Sequence, residues 1–488
     1  MIVNVKTMKE IEANSGSSSS ELMKTAGTAI NSWLEKKYPK NTRILVLCGK
    51  GNNGGDALTA ASVTENLSYC FLFVDGKPSS KEAKEVYSSG TFDTIDTVQL
   101  GSALKECDVV LDAVYGFGYH GELSDAVRDI FRTVNLSIKP VISIDINSGA
   151  EADTGRYDPD AIRSDVTLAL DCYKPFHMLA KDHNLFKEKE LLSLNLPHPE
   201  TGSCLEMDED TFFTHFKAKS PVSYKGSNGR TLIIGGSYGM AGALSLNIIG
   251  AKTLGASYIE VMCPDDIYNI MAVKHTTPVF TPFNRSDMHD LLMNSLPKAS
   301  AAVFGSGAVR MENREELMNT LLQYSKVPVV IDAEGLRLLQ HNTYILQRRF
   351  IKCPVILTPH IGEFADLSGI SLFKLMEDRV TPAIRFAKEY HVYLVLKGPH
   401  TLVVSPDGKF YINQSGCQAL AQAGSGDLLA GMIGAGLTFE KDVFTAVCMS
   451  VFMHGHIADV ASKDHSMQNF DLLSYPSVMD SIFHKHGI

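Results

Sequence analysis

Tryptophan occurs once in 488 residues, and 45 Lys+Arg fall short of 55 Asp+Glu, leaving a formal net charge of −10. Binding nucleic acid takes concentrated Lys and Arg to displace counterions from phosphate, so nucleic acid is not expected as the main partner. The nine cysteines are odd in number, scattered and never spaced Cys-x-x-Cys, which excludes a disulphide framework and a motif-type structural zinc site and fits a reducing compartment. No apolar run approaches the ~20 residues of a membrane span. The first eight residues have neither the apolar core of a signal peptide nor an Arg-rich transit character. No internal repeat is present, and the serine run at 17–20 is too short to count as low complexity. What remains is ordinary for a globular protein, 44% hydrophobic and 20% charged. At roughly 100–200 residues per domain the chain is expected to form two or three domains in the cytoplasm.

Residues 43–170 alternate short apolar runs (44–48, 70–74, 109–114, 141–146 and 166–170) with helix-length segments such as 57–65 and 124–134. Buried-type strands separated by helices predict βαβ units on a parallel sheet. Ahead of them Leu22, Met23, Ala26 and Ile30 recur at helical spacing, predicting a helix over 20–33. The alternation breaks between 195 and 228, where Leu196-Pro-His-Pro-Glu-Thr-Gly punctuates the chain. It resumes at 231–234, 258–262, 301–304, 327–331, 354–357, 392–396 and 401–404, and closes with apolar helices at 428–437 and 444–461. The expected fold is α/β, with two tandem three-layer domains at 1–205 and 206–488.

After the 44–48 strand comes Gly49-Lys50-Gly51-Asn52-Asn53-Gly54-Gly55-Asp56, formally Gly-x-Gly-x-x-Gly, with Asp75 about 20 residues on. Alone this is the dinucleotide fingerprint, with pyrophosphate on a helix N-terminus and an acid on the ribose. The fillers point elsewhere. Asp56 puts a negative charge where pyrophosphate would dock, and Asn52 and Asn53 are bulky for close backbone approach. The cluster reads as built for polar contacts and a cation. Two further strand ends match it: Asp112, ahead of a second glycine loop at 116–121, and Asp145, ahead of Asn147-Ser148-Gly149. Carboxyl ends of neighbouring parallel strands line one crevice. Asn53, Asp112 and Ser148 would then offer hard oxygen ligands to a group I or II cation. The plainer reading has Asp112 and Asp145 capping helices or tying turns.

Gly51–Asp56, Asp112-Ala-Val-Tyr-Gly-Phe-Gly118 and Ser143-Ile-Asp-Ile-Asn-Ser-Gly149, with Met8-Lys-Glu-Ile-Glu12 and Ser164-Asp-Val-Thr…Lys174-Pro-Phe-His177, resemble the NAD(P)H-hydrate epimerase family over most of residues 1–200. The resemblance implies a Rossmann-like sheet and a K+ site at Asn53, Asp112 and Ser148. It implies substrate contacts from Asn52, Asn53, Gly54, Gly55 and Asp56, from Gly116, Phe117, Gly118, Tyr119, His120, Gly121 and Glu122, and from Asp145. Asp145 is the candidate acid/base for inverting the hydroxyl-bearing carbon of the hydrated nicotinamide ring. The chain departs from the family at Ala57 (usually Gly), Asn147 (usually Pro) and Glu151 (usually Asp). Pro fixes φ, so its loss is expected to free the loop that aims Asp145 and Ser148.

In the second half Ala423-Gly424-Ser425-Gly426-Asp427 sits immediately before an apolar helix. Small residues let backbone N–H groups and the helix dipole face an anion. An Asp there can take a proton from an attacking hydroxyl; an ordinary N-cap after a glycine turn is the alternative. Lys397-Gly398-Pro399-His400-Thr401 links two strands with a cation and a turn suited to a nucleotide phosphate. Thr358-Pro-His360-Ile-Gly-Glu363 ends another strand, where Glu363 could hold Mg2+ through water. Gly235–Ala243 opens a helix and could shape a pocket, whereas 449–456 reads as core.

With Lys225-Gly-Ser-Asn-Gly-Arg230 and Ile234-Gly-Gly-Ser237, these segments resemble the ribokinase-like ADP-dependent NAD(P)H-hydrate dehydratase family over about residues 222–460. The resemblance implies that Lys397, Gly398, Pro399, His400, Thr401 and Gly426 face the nucleotide. Ala243, Gly307, His360 and Asp427 would face the hydrated cofactor. Phosphoryl transfer to the ring hydroxyl, then loss of phosphate, would regenerate the dihydronicotinamide, with ADP as donor and ATP as the alternative. The chain departs at Gly305-Ser-Gly307-Ala-Val, at Cys417, where the family has Asn, and at Ala423, the first residue of the cradle.

The expectation is a fused metabolite-repair enzyme, isomerase and lyase, that interconverts the R and S forms of NADHX and NADPHX and dehydrates the S form at the expense of ADP. K+ would serve the first domain and Mg2+ the second, and homo-oligomers are expected from the families. The alternative is a ribokinase-type kinase of another small hydroxylated metabolite with an inactive or regulatory first domain. A first domain acting only as a binding module is a third reading, against which Asn53, Asp112, Asp145 and Ser148 stand together. A dehydrogenase rests on the glycine loop alone.

Overall fold

In the computed structural model, which describes residues 1–180, 184–198, 205–224, 227, 229–340, 342–347, 353–464 and 466–488, the chain forms two units, Met1–Leu205 and Glu206–Ile488. Lys225, Gly226 and Asn228 of the Lys225–Arg230 motif, and 199–202 of the punctuating segment, lie outside the described residues.

The first unit carries β1 (Arg43–Cys48), β2 (Ser68–Phe73), β3 (Asp93–Ile95), β4 (Val109–Ala113), β5 (Val141–Ile144), β6 (Ser164–Leu170) and β7 (Phe186–Leu192). They form one sheet in the order β3-β2-β1-β4-β5-β6-β7, parallel throughout. Strands β1 and β4 are apolar runs because both of their faces are covered. On one face pack α2 (Ser19–Lys37), begun by a Ser18/Glu21 capping box, and α3 (Asn52–Val63). Gly27 makes their close approach possible, since a Cβ there would lie 2.5 Å from Thr59 Cβ. A short N-terminal helix, α1 (Val5–Asn14), precedes them. The chain leaves β1 towards β2 and returns to β4 on the other side, so the switch point of this Rossmann-like sheet falls between β1 and β4.

The second sheet runs β10-β9-β8-β11-β12-β13-β14-β15-β16. Its strands are β8 (Thr231–Ile234), β9 (Ile259–Pro264), β10 (Val279–Phe283), β11 (Ala301–Phe304), β12 (Val329–Ile331), β13 (Val355–Leu357), β14 (Tyr393–Leu396), β15 (Leu402–Val404) and β16 (Phe410–Ile412). It is parallel up to β14 and antiparallel at its last two pairings, with its switch point between β8 and β11. The helices Ala241–Thr253 and Ser425–Phe439 touch backbone to backbone. A Cβ on Gly250 would fall 2.0 Å from the Leu428 carbonyl oxygen, and one on Gly431 would fall 2.0 Å from that of Asn247. The helix Val443–Ala461 is long and apolar enough to cross a membrane by length and composition, contrary to the expectation from the sequence, but most of it is buried in this unit.

Candidate active sites

The glycine segment after β1 is not a loop ahead of a helix. From Asn52 it is already helical, so Asn52, Asn53 and Asp56 share the first turns of α3 at spacings of three and four. Beneath them lies a cavity of about 590 Å³, within the range of ligand sites. Of the expected substrate residues, Asn52, Asn53, Asp56, Gly116, Phe117, Gly118, Tyr119, His120 and Asp145 line it. Gly54, Gly55, Gly121 and Glu122 do not. Gly54 and Gly55 serve packing, since a Cβ would meet the Gly49 carbonyl at 2.1 Å and Met23 at 2.4 Å respectively.

Asp145 sits just past β5 with φ 62°, a left-handed conformation that costs a non-glycine residue and is held only when its surroundings fix it. Its Oδ1 receives the Lys174 Nζ at 2.6 Å and its Oδ2 the Phe117 N–H at 2.9 Å. Lys174 is fully buried and also donates to the Leu170 carbonyl at 2.9 Å. Burial, with the Lys174 charge adding to it, drives the His177 imidazole down to about 3, so it is neutral. His177 Nδ1 accepts the Lys174 N–H (2.9 Å), which leaves Nε2 to donate to the Asp145 carbonyl oxygen at 2.8 Å. Burial, reinforced by the Asp145 charge, raises the carboxyls of Asp56 and Glu12, both in the cavity wall.

Asp112 is fully buried. Its carboxylate accepts the Ser148 hydroxyl (2.5 Å), the Ser148 N–H (2.9 Å) and the Ser143 hydroxyl (2.9 Å), and burial pushes it up to about 6. Gly116 brings the neighbouring elements together: a Cβ there would stand 3.3 Å from both Asn53 Oδ1 and Asp145 Oδ2. Asn53, Asp112 and Ser148 supply amide, carboxylate and hydroxyl oxygens, and the partners of Asp112 are neutral groups. That donor set fits an alkali cation.

One expectation is overturned. Asn147 does not free its loop by replacing a proline. It is fully buried, its Nδ2 reaches the Ile162 carbonyl (2.9 Å), the Leu185 carbonyl (2.7 Å) and Ser164 Oγ (3.0 Å), and its Oδ1 accepts the Thr167 hydroxyl at 2.5 Å. The amide replaces the stiffness of a ring with a hydrogen-bonded lock. Lys174, His177 and Glu12 were within reach of sequence reasoning only as parts of motifs. Nothing local marks a lysine as buried.

In the second unit Gly424, at φ 94°, turns the chain into the helix Ser425–Phe439, whose first turn holds Asp427. Asn247 Nδ2 donates to the Asp427 carbonyl oxygen at 2.5 Å. Burial and then the charge of Asp332 push the Asp427 carboxyl up to about 6, with Lys397 opposing and Glu363 adding to the rise. Asp332, missed in the sequence, pairs with Lys397 Nζ at 2.8 Å and accepts the Thr358 hydroxyl at 2.8 Å. A Cβ on Gly426 would lie 2.9 Å from Lys397 Nζ, so the ammonium abuts the helix start. The turn after Lys397 is held by the Thr401 hydroxyl on the Gly398 carbonyl (3.0 Å) and by Arg379 on the Pro399 and His400 carbonyls (2.8 and 3.2 Å).

His360 and Glu363 form a capping box at the start of the helix Ile361–Ser368. His360 Nδ1 accepts the Gly362 and Glu363 N–H groups (3.0 and 3.2 Å), and Glu363 accepts the His360 N–H (2.8 Å). Their ordinary structural role is therefore present, while the His360 ring stays exposed. Ala243 and Gly307 meet across the switch point. Gly307, at φ 68°, would place a Cβ 3.2 Å from that of Ala243, and Ser237 donates to its carbonyl at 2.7 Å.

A family model for NAD(P)H-hydrate dehydratase matches residues 231–476, and one for the YjeF-related protein N-terminus matches residues 19–176. The chain is similar to the bifunctional NAD(P)H-hydrate repair enzyme Nnr of Moorella thermoacetica, 30% identical over 93% of this chain and 91% of the relative. It is also similar to the enzyme of that name in Escherichia coli, 29% identical over 90% and 85%. Among solved structures, the ADP/ATP-dependent NAD(P)H-hydrate dehydratase from Bacillus subtilis, co-crystallised with ATP/Mg2+, matches 57% of this chain and 97% of that chain at 26% identity and TM-score 0.52. Two α/β units, one Rossmann-like and one ribokinase-like, each gathering its polar groups at the strand ends, define a bifunctional enzyme. The chain belongs to the bifunctional NAD(P)H-hydrate repair enzyme family, with an isomerase and a lyase on one polypeptide. A kinase of some other metabolite is not favoured.

Proposed function

We propose that the first unit epimerises NADHX and NADPHX at the cavity above Asp145, and that the second dehydrates the S form with a nucleotide as phosphoryl donor. The observation that supports the first assignment best is the fixed Asp145: a strained carboxylate at a cavity wall, held by a buried ammonium and a backbone N–H. Asp145 moves the proton during inversion of the hydroxyl-bearing carbon, while Asn52, Asn53 and Asp56 and the cavity-lining part of the second loop, Gly116–His120, hold the hydrated ring. Asn53, Asp112 and Ser148 would hold K+, which would supply positive charge beside the Asp112 carboxylate and the glycine loops.

In the second unit Asp427 takes the proton from the ring hydroxyl as it attacks the terminal phosphoryl group. The N–H groups of the helix start and the Lys397 ammonium face the phosphoryl oxygens, where negative charge develops. Gly398–Thr401 cradle the nucleotide, and Ala243, Gly307 and His360 face the hydrated ring. Converting hydroxide, a poor leaving group, into phosphate is what lets a kinase-like fold complete a dehydration. ADP is the donor and ATP the second candidate; Glu363 would hold Mg2+, through water, which would shield the phosphate charge.

The test is a mixture of both NADHX epimers with K+, Mg2+ and either ADP or ATP, followed by the return of dihydronicotinamide absorbance. Full recovery faster than spontaneous epimer exchange supports both activities. Recovery stopping near half removes the epimerase assignment, and no recovery removes the dehydratase assignment.

A further inference from the structure

The cysteine spacing excluded a motif-type zinc site, yet the fold assembles a mixed-donor cluster from distant parts of the first unit. Asp171 and Cys172 follow β6, and His198 lies 26 residues further on, beyond β7. His198 Nε2 stands 2.7 Å from Asp171 Oδ2 and 3.6 Å from Cys172 Sγ, and Sγ stands 4.0 Å from the same carboxylate oxygen. Cys172 and Asp171 are buried, while the His198 side chain is one-third exposed.

Both contacts of His198 use one ring nitrogen. A nucleophilic Cys–His–Asp relay needs both nitrogens, one toward the thiol and one toward the acid, so the arrangement is not a catalytic triad. Three donor atoms converging on one point is what a metal requires. With Zn–S about 2.3 Å and Zn–N and Zn–O about 2.0–2.2 Å, a tetrahedral ion separates S from N by about 3.6 Å, N from O by about 3.4 Å and S from O by about 3.6 Å. The S–N distance already fits. The N–O pair must open by about 0.7 Å and the S–O pair close by about 0.4 Å, shifts that a turn of the one-third-exposed imidazole and of the carboxylate can supply.

Two of the three ligands are fixed by backbone. Asp171, at φ 61°, donates its N–H to the Leu192 carbonyl (2.8 Å), and its Oδ1 accepts the Leu194 N–H (3.0 Å). The Cys172 N–H is bonded to the Leu170 carbonyl at 2.7 Å. We propose that Asp171, Cys172 and His198 bind a tetrahedral cation of the zinc class, with water as the fourth ligand. The ion clamps the segment leading to His198, whose Leu194 and Leu196 line the cavity above Asp145. The sulfur–imidazole–carboxylate set selects a borderline-soft ion over Mg2+ or Ca2+.

The test uses the full chain, stripped with chelator under thiol reductant, in buffer containing Mg2+ and K+ and titrated with Co2+ alone. One equivalent should bind with a thiolate-to-cobalt charge-transfer band, displaced by Zn2+. Cys172→Ser should abolish the band, and His198→Gln should weaken binding at least tenfold. A first-unit thermal transition retained in both metal-free variants, beside an unchanged second-unit transition, reports that the unit carrying the substitutions is folded. Binding without the band, a band that survives Cys172→Ser, or no saturable binding overturns the proposal.

Discussion

The Asp145 carboxylate and the Lys174 ammonium meet at 2.6 Å with essentially no solvent on either side chain. Such a pair is costly to break from one side only, because the partner is left charged and buried. Lys174→Met should therefore destabilise the first unit by about 3–5 kcal/mol, read as a lower denaturation midpoint, besides slowing epimerisation. Asp145→Asn should abolish epimer exchange and leave dehydration of the accepted epimer intact. Equal loss of both activities would remove the division of labour.

Asp427→Asn should stop nucleotide-dependent repair without touching epimer exchange. The pH profile gives a second reading of the same group. A base must be ionised to accept a proton, and the Asp427 carboxyl, facing Asp332, Glu363 and Lys397, is pushed up to about 6. The dehydration kcat/KM should therefore fall about tenfold per pH unit below about 6. An ordinary aspartate would hold its activity to about pH 4. A profile flat from pH 7 to 4.5 would exclude Asp427 as the titrating base.

Asn147→Ala should cost the first unit about 1–3 kcal/mol, since it strands the Ile162 carbonyl in the interior, while the Leu185 carbonyl keeps the Ser164 N–H and the Thr167 hydroxyl keeps the Ser164 hydroxyl. Thermal denaturation of the full chain, with the second unit's transition as internal reference, measures it. An unchanged first transition would return the loop to the free state expected from the missing proline.

Gly431→Ala should destabilise the second unit, because the new methyl carbon meets the Asn247 carbonyl oxygen at 2.0 Å, a backbone atom that cannot step aside. Gly118→Ala, with nothing within 4 Å, is the control for a glycine that packs against nothing. Equal melting temperatures for the two variants would contradict the backbone-to-backbone packing of the helix that carries Asp427.

The central strands were legible as apolar runs because both of their faces are covered. The strands not read from the sequence are β3, β7, β10 and β16, the four edges of the two sheets. Asp93-Thr-Ile is mostly exposed, Phe186–Leu192 carries four charges, and Val279–Phe283 contains a proline. At these three edges charge, proline and exposure, which keep an edge from pairing with other chains, erase the pattern that marks a strand. At the sites, polar residues at strand ends stood out, whereas Lys174 and Asp332 did not, since their importance lies in partners 29 and 65 positions away. The metal-type cluster was hidden for the same reason: its donors come together only once β6 and β7 are paired.

In both sheets adjacent strands send their chains in opposite directions at one point, between β1 and β4 and between β8 and β11, and in the first the cavity above Asp145 opens there. Such a cleft belongs to the connectivity and is not carved out by particular side chains. Drift at Ala57, Asn147, Cys417 or Ala423 can therefore change what a cleft binds or how fast it turns over without closing it. The fold lets its lining vary for as long as the order of its strands persists.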